Sequence, residues 1–219
     1  MRIQIMIDPT RTTNYQATDQ DLQEMIVFWI LAAGKSGVLA ARIAAHIRTL
    51  AETAGLSIFK WVLEREKGYL RRCLRLRGMG CWTSKSETID EIAWHCDDGI
   101  LDLRLSSHED LQRVRGIGPK TARCFVLHSR RNAKCIGLDT HMLFYLQLKG
   151  YEVPHHTPSN EAEYRRIEQF ALHQAAVHDM NPAEFDLAVW NYIRTFWSRD
   201  AKKKYRTACN IPKDSRISA

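Results

Sequence analysis

Apolar residues recur at three- and four-residue intervals through almost the whole chain, and that rhythm confines it to an all-α architecture. A stripe of this kind must be buried against another helix, so the expected fold is a packed set of six or more helices. Alternation of the strand type appears only in fragments such as 2–7. The clearest stripe is Leu22, Met25, Ile26, Trp29 and Ile30, opened by Thr18 and Asp21 as a capping box and expected to reach about Ala33. Further helices are expected over 36–54, through Phe59, Trp61, Val62 and Leu63 to about Gly68, and over 69–77. The turn Gly78-Met79-Gly80-Cys81-Trp82-Thr83-Ser84-Lys85 then starts a helix through Ile89, Ile92 and Ala93. The longest apolar run, 25–34, falls well short of the roughly twenty residues a membrane span needs, so no membrane partner is expected.

The second half is punctuated more sharply. Ser106 and Glu109 are placed as a capping box for a short helix, which Gly116-Ile117-Gly118-Pro119 breaks before a new helix begins at Lys120. Asp139 is placed to cap a helix ending at Gly150, and Ser159 to start one reaching about His178. Asn181-Pro182 with Glu184 opens a last helix through Phe185, Leu187, Val189, Ile193 and Phe196. From Arg199 the apolar period is lost, and the segment reads as a solvated tail or a strap along the surface.

Charge and cysteines narrow the chemistry. The chain carries 32 Lys and Arg against 25 Asp and Glu, a net +7, which admits a polyanionic partner. Seven basic and two acidic residues lie in 199–219, so that segment accounts for +5 and the rest of the chain for +2. Net charge is therefore a weak argument for such a partner. Six cysteines without a C-x-x-C pair argue against a zinc ribbon or an iron–sulfur loop and read as reduced thiols, and 1–11 lacks the pattern of a secretory signal. The localisation expected from these features is cytoplasmic.

The hairpin carries the most chemistry. If Gly116 and Gly118 both take positive φ, several backbone N–H groups point one way at the start of the following helix, and such an array binds a phosphate. An ordinary helix–turn–helix corner is the plainer reading of a bare Gly-x-Gly. Lys120 shifts the balance, because an amine in a helix's first turn sits at the positive end of the dipole, which disfavours its ammonium form. Partly buried, it is a feasible neutral nucleophile; left on the surface, it is a phosphate contact. Asp139 is explained equally well as an N-cap and as a carboxylate that steadies a developing cation.

Gly-Ile-Gly-Pro-Lys-Thr-Ala at 116–122 followed by Leu-Asp-Thr-His at 138–141 resembles the helix-hairpin-helix DNA glycosylase superfamily of endonuclease III. The resemblance extends back through Arg77-Gly78-Met79-Gly80 and Ser84-Lys85 to the helix pair around 31–44, and covers roughly 20–197. It implies a two-lobed fold with a central cleft. One lobe would combine about 1–35 with 151–197, the other would hold the hairpin within about 36–150, and 198–219 would be a basic tail. It implies a monomer acting on double-stranded DNA that contains a damaged base, and with it association with the nucleoid. Lys120 would attack C1′ of the flipped nucleotide, Asp139 would assist, and Gly116, Gly118, Thr121, Lys85 and His141 would contact the DNA backbone. The four-cysteine cluster loop of endonuclease III has no counterpart, since Cys209 is the only cysteine after Gly150; no cofactor, metal or iron–sulfur cluster is expected. The family's gap-filling glutamine falls near 33–36, leaving Lys35 or a residue near Trp82 for that role.

Two positions suit a flipped base. Cys124 is one turn after Lys120, where a small buried hydrophobe is the plain reading and a base contact is what the resemblance implies. Asp186 and Trp190, one turn apart, can face one pocket. This pair resembles the pattern of the small archaeal-type and bacterial 8-oxoguanine glycosylases, in which the tryptophan stacks on the base and the aspartate reads its edge. The expected activity is therefore 8-oxoguanine DNA glycosylase with AP lyase. Alternatives are an endonuclease III-like lyase for oxidised pyrimidines, and a DNA-binding module without catalysis.

Overall fold

A computed structural model describes residues 7–209, and every regular element among them is an α-helix. The strand-like fragment 2–7 lies outside the described residues except for Ile7. The chain divides into two compact units, Met1–Asn132 and Ala133–Ala219.

The first unit contains α1 (Asp19–Ala32), α2 (Gly37–Thr53), α3 (Ile58–Leu63), α4 (Tyr69–Leu76), α5 (Trp82–Asp97), α6 (His108–Leu111) and α7 (Pro119–Ser129). Helix α1 is the hub and packs against α2, α3, α5 and α7. Its capping box forms as the sequence requires: the Asp21 N–H donates to the Thr18 hydroxyl at 3.2 Å, and the Thr18 N–H donates to the Asp21 carboxylate at 2.9 Å. Every residue from Glu24 to Leu31 is buried, so the helix is enclosed on all sides, as partners on several faces require. Glu24 sits in this core at 1% exposure and accepts from Arg48 of α2 at 2.9 Å. Arg48 also reaches Asp21 at 2.6 Å and Glu52 at 2.7 Å. Burial raises the Glu24 carboxyl above the ordinary carboxylate range, against the pull of Arg48.

Three helix boundaries differ from expectation. The capping box of α6 is Ser107 with Asp110, not Ser106 with Glu109, because the Ser106 hydroxyl is already engaged by the Asp102 N–H at 2.9 Å. Gly68 does not end the third helix; with φ +83° it is the N-cap of α4, and α3 stops at Leu63. The last long helix before the C-terminal pair is capped by Asn160, which accepts from the Glu163 N–H at 3.1 Å, instead of by Ser159.

The second unit contains α8 (Thr140–Leu148), α9 (Glu161–Val177), α10 (Pro182–Phe196) and α11 (Arg199–Ala208), with α10 packed on α8 and α9. The basic segment is thus a helix, capped by Ser198, for the part that is described; 210–219 lie outside the described residues. It straps onto α8 through rings and alkyl stems. Tyr205 meets Phe144 edge-on at 5.7 Å, Arg206 lies 5.2 Å from the same ring, and its Nε donates to Gln147 Oε1 at 3.0 Å. With one aromatic and several long basic side chains doing the packing, no apolar period was there to find. Among the described residues no helix is long and apolar enough to cross a membrane, and no cluster of three or more His, Cys, Asp or Glu could hold a metal ion.

Candidate active site

Gly116 is the residue on which the hairpin between α6 and α7 depends. Its φ is +93°, and a Cβ added there would overlap the Thr88 hydroxyl of α5. Only glycine meets both demands. Thr88 Oγ1 donates to Ser84 O at 2.9 Å and Arg115 O at 3.0 Å, while the Arg115 N–H donates to Glu91 at 2.9 Å, so the hairpin is pinned to α5. Gly118 differs from expectation: at φ −85°, ψ 173° it is extended backbone that any residue adopts. Its role is that of a bare N-cap. With no side chain there, and with Pro119 following, α7 opens without a side-chain cap on its first-turn N–H groups. Gly116 and Gly118 are both exposed, whereas Thr121 is 5% exposed and turned into the core, which removes its hydroxyl from the expected DNA-backbone contacts.

Lys120, in the first turn of α7 and half-buried, lies with Nζ 4.8 Å from the centre of the Trp29 ring of α1. The indole also stacks on His128, with ring centroids 5.4 Å apart and an interplanar angle of 15°. The His128 Nδ1 is within hydrogen-bond distance of the Thr13 hydroxyl at 2.8 Å. Trp29 Nε1 is buried with no hydrogen-bond partner among the described residues. Lys85 departs from its expected place on the DNA backbone. It is 7% exposed, and its amine turns inward to Leu31 O and, at 3.1 Å, to Ala33 O, the carbonyls at the C-terminal end of α1. That end has no basic residue of its own, so α5 supplies the cation. Cys124, one turn after Lys120, is buried at 3% exposure, within a run in which every residue from Thr121 to Ser129 is buried. The two positions considered for gap filling sit at adjoining turns: Lys35 Nζ packs over Gly80, and Trp82, 40% exposed, carries Arg75 5.9 Å from its ring.

In the second unit Asp139 is the N-cap of α8, its Oδ1 accepting from the His141 and Met142 N–H groups at 2.8 Å each. The chain leading into it is fixed from α9. Tyr164 OH accepts from the Leu138 N–H at 2.7 Å and donates to Ile136 O, and Glu168 accepts from the Ile136 N–H at 2.9 Å. His141, expected on the DNA backbone, instead places Nδ1 3.4 Å from Asp139 Oδ2 and its ring 5.9 Å from Trp190. Asp186 and Trp190 are both half-buried on α10, one turn apart, and Arg194 lies a further turn on, 5.0 Å from the Trp190 ring. Lys202 of α11 lies 5.7 Å from the Phe144 ring; burial lowers its ammonium pKa below the ordinary lysine range while the charge of Asp139 opposes that fall. The second unit therefore gathers Asp139, His141, Trp190 and Arg194 in succession. In the sequence Arg194 carries no assigned role and Lys202 reads only as part of the basic tail, although the four-residue step from Trp190 to Arg194 is visible there; Trp29 is ninety-one residues from Lys120, and no local spacing could have paired them.

No protein-family model matches the chain. Solved structures do. The 8-oxoguanine glycosylase/lyase of Methanocaldococcus jannaschii, in complex with a 15mer DNA containing 8-oxoguanine, is similar with a TM-score of 0.64 and 21% identity, over 82% of this chain and 83% of that one. The 8-oxoguanine DNA glycosylase of Thermotoga maritima gives 0.60 and 20%, over 81% and 82%. The Clostridium acetobutylicum 8-oxoguanine glycosylase/lyase, bound to double-stranded DNA with cytosine opposite the lesion, gives 0.55 and 15%, over 79% of this chain and 59% of that one. This chain has the all-α fold that those archaeal and bacterial glycosylases share.

Proposed function

We propose that this protein is an 8-oxoguanine DNA glycosylase with AP lyase activity, acting on double-stranded DNA. The observation that carries the reading is Lys120 itself: a half-buried amine in the first turn of α7, directly after an uncapped glycine hairpin and resting on Trp29. A lysine serving only as a phosphate contact needs no such support.

In the reaction the Lys120 amine attacks C1′ of the flipped nucleotide as the C1′–N9 bond breaks, and the bonding pair leaves with the base, which is protonated. The ring-opened sugar then forms a Schiff base with Nζ. Loss of a C2′ proton expels the 3′ phosphate by β-elimination. Asp139 supplies the carboxylate that steadies positive charge developing on the sugar, its Oδ1 fixed by two backbone N–H groups. Trp190 offers a flat face to the extruded base, and Asp186 an acceptor for its N–H-rich edge. Cys124 meets the base only if the insertion displaces what covers the thiol, so it takes a secondary part. Gly116 and Gly118 present the hairpin backbone to a phosphate.

Strand-cleavage assays on duplexes carrying either 8-oxoguanine or thymine glycol test this directly. Release of 8-oxoguanine at least tenfold faster than thymine glycol is expected. The reverse preference would favour an oxidised-pyrimidine lyase, and binding without cleavage of either would leave a DNA-binding module.

A further inference from the structure

We infer that the arginine face of α4 is a second contact surface for the DNA backbone, additional to the hairpin. The inference rests on the reading of the protein as a DNA glycosylase and deepens it. Net charge conceals this surface: 60–77 carry seven basic and two acidic residues, a local +5 that acidic residues elsewhere in the chain offset. Helix α4 itself contains no acidic residue, and Arg77 is its C-cap. Leu70 and Leu74 are its buried residues, and it packs against α5. The remaining face shows Arg71, Arg72, Arg75 and Leu76, all exposed. Successive helical residues turn by about 100°, so the three arginines fall within one arc of about 100°.

This face works against the helix that carries it. Arg71 lies in the first turn, where the helix dipole disfavours a cation, and Arg71 and Arg75 are like charges one turn apart, which repel. A basic face kept for folding would be laced with acidic partners. Arg72 has one, Glu66, and lies 5.8 Å from the Tyr69 ring, while Arg77 is taken up by His46. Arg71 and Arg75 have no ion-pair partner among the described residues. Arg71 Nη2 instead lies back over Gly68, 3.7 Å from where a Cβ would stand, and Arg75 lies 5.9 Å from the exposed Trp82 ring. Both guanidiniums therefore keep their N–H groups for an anion. They stand about 6 Å apart along the axis with no carboxylate between them, which suits successive negative charges on one partner. Every cation of α4 is an arginine, whose planar fork matches phosphate oxygens. The surface continues toward the hairpin. Lys35 Nζ packs over Gly80 in the following turn, and α5, which starts at Trp82, holds Arg115 O through Thr88, about 9 Å further along its axis. A duplex, with a phosphate charge about every 1.7 Å of its axis, spans such a separation easily.

The test is the salt dependence of binding to a duplex carrying a tetrahydrofuran abasic analogue, which is bound but cannot be cleaved. Each phosphate contact contributes about 0.9 to the slope of log affinity against log salt, so the double variant Arg71→Gln, Arg75→Gln is expected to lower the slope by about 1.8. Its shortfall in affinity against wild type is then about twelvefold larger at 50 mM salt than at 200 mM. Arg71→Lys with Arg75→Lys keeps both charges and is expected to keep the wild-type slope. Lys60, 59% exposed, is already paired with Asp97 at 3.2 Å, and Lys60→Gln is expected to leave the slope unchanged. An unmoved slope in the glutamine double variant overturns the inference, and so does an equal drop in Lys60→Gln, which would report net charge alone. Should the double variant not fold, each single glutamine substitution is expected to lower the slope by about 0.9, and unmoved slopes in both overturn the inference. Strand cleavage of an 8-oxoguanine duplex by the wild type separates the two levels of the argument. Cleavage with an unmoved slope defeats the α4 surface alone, whereas a lowered slope without cleavage defeats the glycosylase reading and leaves α4 as a DNA-binding face.

Discussion

Gly116, Thr88 and Lys120 show how few residues set the hairpin. A methyl group at Gly116 meets both a positive φ of +93° and the Thr88 hydroxyl, so Gly116→Ala is expected to cost about 2–3 kcal/mol in urea denaturation. In a Thr88→Ala background the same substitution is expected to cost only about 1 kcal/mol, the residue of backbone strain. Equal penalties in the two backgrounds would mean that Thr88 is not the obstacle. If Asp186 and Trp190 read the base as proposed, Asp186→Ala and Trp190→Ala are expected to slow 8-oxoguanine release at least tenfold while leaving cleavage of a preformed abasic site within about threefold, since base contacts matter only while a base is present. Parallel losses on both substrates would remove these residues from base recognition. Much at this scale was legible in the sequence: the glycine hairpin, Asp139 as a cap, and the Asp186–Trp190 step all depend on neighbours within four residues. Lys85 and Thr121 misled for one reason. A lysine or threonine in a motif does not declare which way it faces, and that is decided by α1 packing against α5 and α7.

Among the elements, α1 and α11 stand at opposite ends of legibility. Helix α1 announced itself through its stripe and capping box, but its buried Glu24 and the Arg48 that neutralises it are a tertiary arrangement. Helix α11 carried no apolar signal, because it packs through Tyr205 and the stems of Lys202 and Arg206 onto Phe144. Tyr205→Ala is expected to destabilise the second unit by about 1–2 kcal/mol and to speed amide exchange in α8, read by hydrogen–deuterium exchange. Unchanged protection of α8 would show that α11 adds nothing to the helix bearing Asp139.

At the scale of the molecule, the same fold recurs at 21% identity in an archaeal glycosylase, so most of the surface and core has been exchanged while helix order and packing persist. What the sequence supplied was a period, which names the class, and a hairpin signature, which names the resemblance. The charge of +7 contributed little, being concentrated in 199–219. The central claim is that Lys120 forms a covalent bond with DNA. The most direct measurement is borohydride trapping on an 8-oxoguanine duplex, followed by proteolysis and mass spectrometry of the adduct. A covalent complex with the sugar on the peptide containing Lys120, absent in Lys120→Ala, is the predicted result; no adduct with the wild type, or an undiminished one in Lys120→Ala, would contradict it.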